Sequence, residues 1–341
     1  MSHTRSHSTE SSPIAVDAKR GTNILAFTIE TIYNTLEAAM ARRAEKEPVD
    51  ENGTPLPQPF TGYLVTQKLH EGPHGILWRA GEAVFDRDTV IRQLFPDMTQ
   101  HEDIIPTFFG EARTVARLKH PNLVRGLDCG RAGDSLFFVC EFVPGESLAA
   151  VLSVRGRLEE PRALAIVREI CQALAYLDEQ GMCHSAVKPS NCMLDREGVV
   201  RLCDLGVCKD VLYPNPVKRH RLHPEYAAPE AFTEDDYLDI QSDLYSLGIT
   251  LWHMLTGNVP FRGMQEVVIR AHQERDLPSI REEAPGISAA TASLLSALLA
   301  KDRSARVGTP DELMELLAEH PLLPKLVPQP DATPAPTIDH E

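Results

Sequence analysis

A change of hydrophobic period near Gly145 constrains this chain most. From Phe60 to about Val143 the apolar residues fall in short runs, YLVTQKL, GILWRA, TVIRQLF and SLFFVCEFV, with one helical stretch from about Pro106 to Leu118. Strand side chains alternate faces, so this region predicts a small, mostly β lobe. Beyond Gly145 the period lengthens, and Leu164, Val167, Cys171, Leu174 and Leu177 form a helical stripe that opens after Pro161 and stops at Gly181. Proline suits a first helical turn and glycine suits the position past the last. A larger helical lobe follows. Together they predict an α+β, bilobal domain over residues 60–322, with lobes at 60–143 and 145–322.

Flanking segments read differently. Residues 1–20 are rich in Ser, His and Thr and 323–341 in Pro and acid, compositions that predict disorder. Over 21–46, Leu25, Ile29, Ile32, Leu36 and Met40 recur at helical spacing, an amphipathic helix that either packs on the domain or offers a seam for self-association. The Pro, Gly and Asn content of 47–59 marks a linker. A net charge of -15 opposes nucleic-acid binding and favours a basic protein partner. Seven cysteines without a CxxC pair suggest neither a disulfide framework nor a zinc site. With no long apolar run and no signal-peptide core, neither a membrane span nor a secretory leader is expected, and the reading is cytoplasmic.

Short motifs then recur in a fixed order: KLHEGPHGILWRA with Gly72 and Gly75, TVIRQL with Arg92, FFGEARTVARLKHPNLV with Glu111, VCEFVPGESL, MCHSAVKPSNCML, DLG at Asp204, YAAPE ending at Glu230, SDLYSLG with Asp243, and DRSARV with Arg306. Each is weak alone. In this order the stretch from Phe60 to Leu322 resembles the eukaryotic-type (Hanks-type) serine/threonine protein kinases. The resemblance implies a nucleotide slot formed by Gly72, Gly75, Leu77, Val90, Arg92, Glu111, Glu141, Val143, Lys188 and Met193, with Cys140 at the gatekeeper position. It further implies ATP and Mg2+ as ligands, the metal held by Asn191 and Asp204, and an ion pair between Arg306 and Glu230.

Several positions depart from the family pattern. His70 replaces the first loop glycine, Arg92 the strand lysine, Ser185 the catalytic-loop arginine and Ala186 its aspartate. An alanine cannot accept the proton of an attacking hydroxyl, and general base assistance is worth roughly 10²- to 10⁴-fold in rate. From these, the sequence reads as a degenerate kinase, a regulatory or scaffolding module that binds ATP and Mg2+ weakly, with no catalytic residue beyond a residual Lys188. The alternatives are a weakly active or atypical serine/threonine kinase transferring a phosphoryl or nucleotidyl group, and a nucleotide-free scaffold. An Arg92–Glu111 ion pair is expected, and Gly126, placed by the resemblance in the side-chain stack between the lobes, predicts a gap or a displaced helix there. The basic cluster Lys218–Arg221 reads as a solvated loop, and the spacing of His220 and His223 gives only a weak metal signal.

Overall fold

Five strands form the first sheet: β1 (Tyr63–Gly72), β2 (Gly75–Glu82), β3 (Arg87–Leu94), β4 (Gly126–Ala132) and β5 (Ser135–Glu141), in the order β1-β2-β3-β5-β4. Helix α1 (Ile104–Arg117) lies between β3 and β4 in the chain. A three-stranded sheet follows, β6 (Gly145–Ser147), β7 (Cys192–Asp195) and β8 (Val200–Leu202), all antiparallel. The helical part comprises α2 (Leu148–Arg155), α3 (Glu160–Glu179), α4 (Ile240–Thr256), α5 (Gln265–Glu274), α6 (Ile280–Glu283), α7 (Ala289–Leu298) and α8 (Pro310–Ala318). The α+β expectation holds. This computed structural model describes residues 48–50, 52–72, 75–99, 104–204, 224–233 and 238–324. The helix expected over 21–46, the segment 1–20, the tail 323–341 apart from Leu323 and Pro324, and the basic cluster with His220 and His223 lie outside the described residues; Leu323 is buried, against the disorder expected of it.

The chain divides into two units, residues 1–68 with 79–88 and residues 69–78 with 89–341. In the first, Gln58 lies beside β1, its amide nitrogen donating to Val65 O at 3.0 Å and its oxygen accepting from Val65 N at 2.8 Å. Phe60, Tyr63, Leu64, Val65 and Ala80 form its buried side, and Arg79 pairs with Asp88. The second unit carries every residue of the candidate site.

Two helices organise the second unit. Pro161 opens α3, and the stripe read from sequence is fully buried. Gly181, at φ +68°, turns the chain after α3, a left-handed backbone that glycine adopts without penalty. Helix α4 is apolar on almost every side, as a helix enclosed by others must be. Asp239 caps its start by accepting from Gln241 N, and Gly257, in the left-handed region, ends it.

Beside α4, Arg306 makes a two-pronged pair with Glu230, Nη1 to Oε1 at 2.7 Å and Nη2 to Oε2 at 3.1 Å, with both side chains almost wholly buried. Ser242 Oγ donates a further bond to Glu230 Oε1 at 2.8 Å, and Arg306 donates to the carbonyls of Ala300 and Lys301. Burial alone would raise the Glu230 pKa; the Arg306 bonds and charge outweigh it and hold the carboxyl below its ordinary 4.5. A lowered carboxylate pKa contributes stability that is complete above the ordinary value and is lost as pH falls through the folded one. Glu230→Gln leaves a buried guanidinium uncompensated, so denaturant titration at pH 7 should show a loss of about 3–5 kcal/mol. That deficit should shrink below pH 4.5. A deficit constant from pH 7 to pH 3 would contradict the assignment.

Candidate active site

The stretch from Met182 to Leu194 leaves α3 and runs into β7, and buried polar groups fix its path. Ser185 has φ +58°, costly for a side chain with a Cβ. Two bonds hold the turn: the N–H groups of His184 and Ser185 donate to the two carboxylate oxygens of Asp243, at 2.5 and 2.7 Å. Asp243 sits in the first turn of α4, buried. A charged acceptor makes such bonds roughly twice as strong as neutral ones. Ala186 N donates to His184 Nδ1 at 3.2 Å, so the ring proton resides on Nε2, which donates to Cys203 O at 3.0 Å.

Asn191 links the same loop to the end of β8. Its Nδ2 donates to Ala186 O at 2.9 Å, and its carbonyl accepts from Cys203 N at 2.8 Å. Two residues from Asn191, Met193 pairs with Ser147 and Arg201 across the small sheet. Beyond Cys203 comes Asp204, at φ +65°, a second side-chain-bearing residue in the left-handed region. Non-glycine residues held there persist only where surrounding structure imposes them, and they concentrate at functional sites. Lys188 lies in the same electrostatic neighbourhood. Burial pushes its ammonium below the ordinary lysine value, opposed by the charges of Asp204 and Glu225.

Arg92 does not take the partner expected of it. Among the described residues its Nη1 pairs with Asp204 Oδ1, not with Glu111. Arginine differs from the lysine it replaces in shape, a planar fork in place of a compact ammonium, and its charge is fixed. Arg92 therefore joins β3 to Asp204 directly.

The two loop glycines separate. A Cβ on Gly75 would stand 1.9 Å from Gln93 O, so that position is glycine because β2 and β3 approach there. Gly72 meets nothing closer than the His70 ring at 3.5 Å. Leu77 and Val90 are half-buried, Val90 facing Cys140 across β3 and β5, and Val143 is buried. Burial pushes the Cys140 thiol up to about 12, so at neutral pH it is an uncharged apolar surface. Glu141 is anchored at both levels: its N–H donates to Arg125 O, and its carboxylate accepts from Arg125 N at 3.0 Å and Arg201 Nη1 at 3.3 Å. Arg201 was not singled out from sequence, because a lone arginine in a strand carries no signal of a partner 60 residues away.

No gap stands at Gly126. A Cβ there would be 2.8 Å from Phe138 Cζ and 3.4 Å from Ala116, so the Phe138 ring of β5 occupies the missing side chain's space against α1. Val115 and His184 are buried. For a divalent cation, the donors are the Asp204 carboxylate and Asn191 Oδ1, hard oxygens of the kind magnesium takes. Asn191 Nδ2 is committed to Ala186 O, and Oδ1, which accepts from Ser190 Oγ at 3.4 Å, has a second lone pair for a cation, so the residues fit. Among the described residues no group of three or more His, Cys, Asp or Glu side chains gathers to hold a metal, and no helix is long and apolar enough to cross a membrane.

If Phe138 replaces the absent side chain, Gly126→Leu overpacks the site by about 1–3 kcal/mol and Phe138→Ala opens a cavity worth about 3–5 kcal/mol. The double variant Gly126→Leu/Phe138→Ala should then recover at least about 1 kcal/mol of the summed loss in a thermal or urea unfolding cycle. Strict additivity would show that the two positions do not share one volume.

Comparison with known proteins gives a consistent result. Residues 63–323 match the family model described as the protein kinase domain. A probable serine/threonine-protein kinase of Clostridium perfringens is 32% identical over 225 residues, 63% of this chain and 32% of its own length. PrkC of Bacillus subtilis is 28% identical over 74% of this chain and 39% of its own, and PknA of Corynebacterium glutamicum 30% over 79% and 58%. The chain thus spans about a third to under two thirds of these relatives. The crystal structure of the Mycobacterium tuberculosis PknI kinase domain superposes with TM-score 0.62 at 24% identity, covering 77% of this chain and 99% of that one, a likeness of fold. These findings correct the expectation, drawn from Ala186, of a regulatory module without efficient transfer, since the relatives carry the names of serine/threonine-protein kinases. In physical terms, one lost carboxylate leaves the positioning and charge-bearing residues in place.

Proposed function

The chain belongs to the protein kinase domain family, and from that membership we propose that it is a serine/threonine protein kinase of low turnover, moving the γ-phosphoryl group of ATP to a hydroxyl of a protein substrate. The observation that carries this reading is the loop held by Asp243, in which Asn191 Nδ2 bonds Ala186 O and Lys188 lies in the field of Asp204. Phosphoryl transfer asks little covalent chemistry of a protein, and most of the catalysis is positioning and charge neutralisation. The bond from the γ-phosphorus to the bridging oxygen breaks, a bond from the substrate hydroxyl forms, and the hydroxyl proton passes to water or to a phosphate oxygen.

Each residue has a part in this reading. The apolar Leu77, Val90 and Met193 accept a flat base, and Glu141 and Val143 offer backbone groups along its edge. Lys188 places a positive charge beside the transferred group. Asn191 and Asp204 would hold a magnesium ion, which would supply further neutralisation of the phosphates. With no carboxylate at Ala186, no side chain takes up the hydroxyl proton, which accounts for a slow rate. The net charge of -15 favours a basic substrate protein.

Phosphate incorporation from labelled ATP into a basic serine- and threonine-containing protein checks this. Ala186→Asp should raise the rate by roughly 10²- to 10⁴-fold, the usual worth of a positioned base. Asp204→Ala should abolish incorporation in both backgrounds. Incorporation that persists in Asp204→Ala, or none in either the natural chain or Ala186→Asp, would refute the proposal.

A further inference from the structure

One guanidinium links two sides of the slot assigned to a base. Arg201, on β8, donates Nη1 to Glu141 Oε1 at 3.3 Å, and its Nε, buried and without a hydrogen bond among the described residues, stands 3.8 Å from Asp195 Oδ2. Asp195 closes β7, and its other oxygen serves its own turn, accepting from the N–H groups of Glu197 and Val199 at 3.0 and 2.9 Å. Glu141 closes β5, and Arg125 N donates to the same Oε1 at 3.0 Å. Across β7 and β8, Arg201 is the direct partner of Met193, and directly opposed side chains of an antiparallel pair share one face of the sheet. The Arg201 stem therefore starts beside Met193, and its fork ends on Glu141. With side-chain exposures of 34% for Arg201, 24% for Glu141 and 10% for Asp195, these charges lie mostly out of water and act on one another strongly.

We propose that Arg201 is a positioning residue that sets the spacing between Met193 and the backbone at Glu141, and so makes the slot selective for the edge of an adenine base. This rests on the reading of the site as one that binds ATP. Arg201 touches no ligand in this role; it acts through Glu141. Two carboxylates of like charge, Glu141 and Asp195, each come within 4 Å of its guanidinium. A planar fork of fixed charge spans both, where a compact ammonium would serve one. Without it the carboxylates repel across a partly dry gap, and the end of β5 moves away from the end of β7. The strand end is not released altogether, because Glu141 keeps its two bonds to the Arg125 backbone. A base edge is read by backbone groups at a fixed height, so a small shift there penalises the ligand whose edge matches and leaves a mismatched one almost as it was. The phosphate end has separate supports, in the loop bonds made by Asp243 and Asn191.

Isothermal titration of the full chain with ATP and with GTP tests the proposal, because the two nucleotides carry the same phosphates and differ at the base edge. The natural chain should prefer ATP. Arg201→Met should weaken ATP binding by about threefold to tenfold, the worth of one lost hydrogen bond, and change GTP binding by less than about twofold. Arg201→Lys keeps a charge for Glu141 alone and should fall between the two, which keeps the test open if the methionine variant does not fold. In Arg201→Met/Glu141→Gln the two losses for ATP should combine to less than their product, since both remove one contact. A natural chain without preference for ATP, Arg201 variants with unchanged ATP affinity, or equal weakening of both nucleotides, as a merely structural role would give, would overturn the inference and leave the proposed phosphotransfer standing. Absence of ATP binding by the natural chain would sink both.

Discussion

A single buried carboxylate, Asp243, holds the candidate site in shape. Both its oxygens are used by the N–H groups of His184 and Ser185, and the second of these residues is held in a backbone region that would otherwise be unfavourable. From that turn the dependencies run outward. The orientation of His184 fixes its proton towards Cys203, Cys203 bonds Asn191, and Asn191 bonds Ala186, so the loop and the start of the Asp204 turn form one hydrogen-bonded body. Asp243 in turn belongs to α4, whose neighbourhood contains the Arg306–Glu230 pair. Loss of the catalytic carboxylate at 186 touches none of these bonds, because Ala186 takes part through its backbone alone.

The Asp204 region is governed by charge. Its carboxylate pairs with Arg92 and lies within the field of Lys188, so two side-chain cations act on it. Cys140, by contrast, is neutral and apolar, and the part of the slot assigned to a base is lined by half-buried aliphatic groups. A polar, cationic end and an apolar end suit a ligand with a flat ring at one side and phosphates at the other.

Much of this was legible in the sequence, for reasons that differ by residue. The α3 stripe and its proline and glycine ends follow from local periodicity, which needs no tertiary information. The Arg306–Glu230 pair came through resemblance of ordered motifs. What could not be read were contacts whose partners are chosen by packing. Gly126 looked like a gap because its filler, Phe138, lies on the neighbouring strand and points into the space from the side. Arg92 was assigned to Glu111 because the replaced lysine suggests that partner, whereas the longer, forked group reaches Asp204. Gly75 looked like a phosphate-loop glycine, and the close approach of Gln93 O gives it a reason within the sheet. Reading Ala186 as the end of transfer weighed one side chain above the scaffold around it.

Under the proposed function, positioning and fixed charge suffice for phosphoryl transfer without a carboxylate base. Phosphorus-31 NMR of the protein at stoichiometric concentration with ATP and a basic protein substrate tests it most directly. The account predicts slow, matched growth of ADP and phosphomonoester signals, in equal amounts, from the natural chain. ATP signals that persist unchanged, or release of AMP in place of ADP, would contradict it.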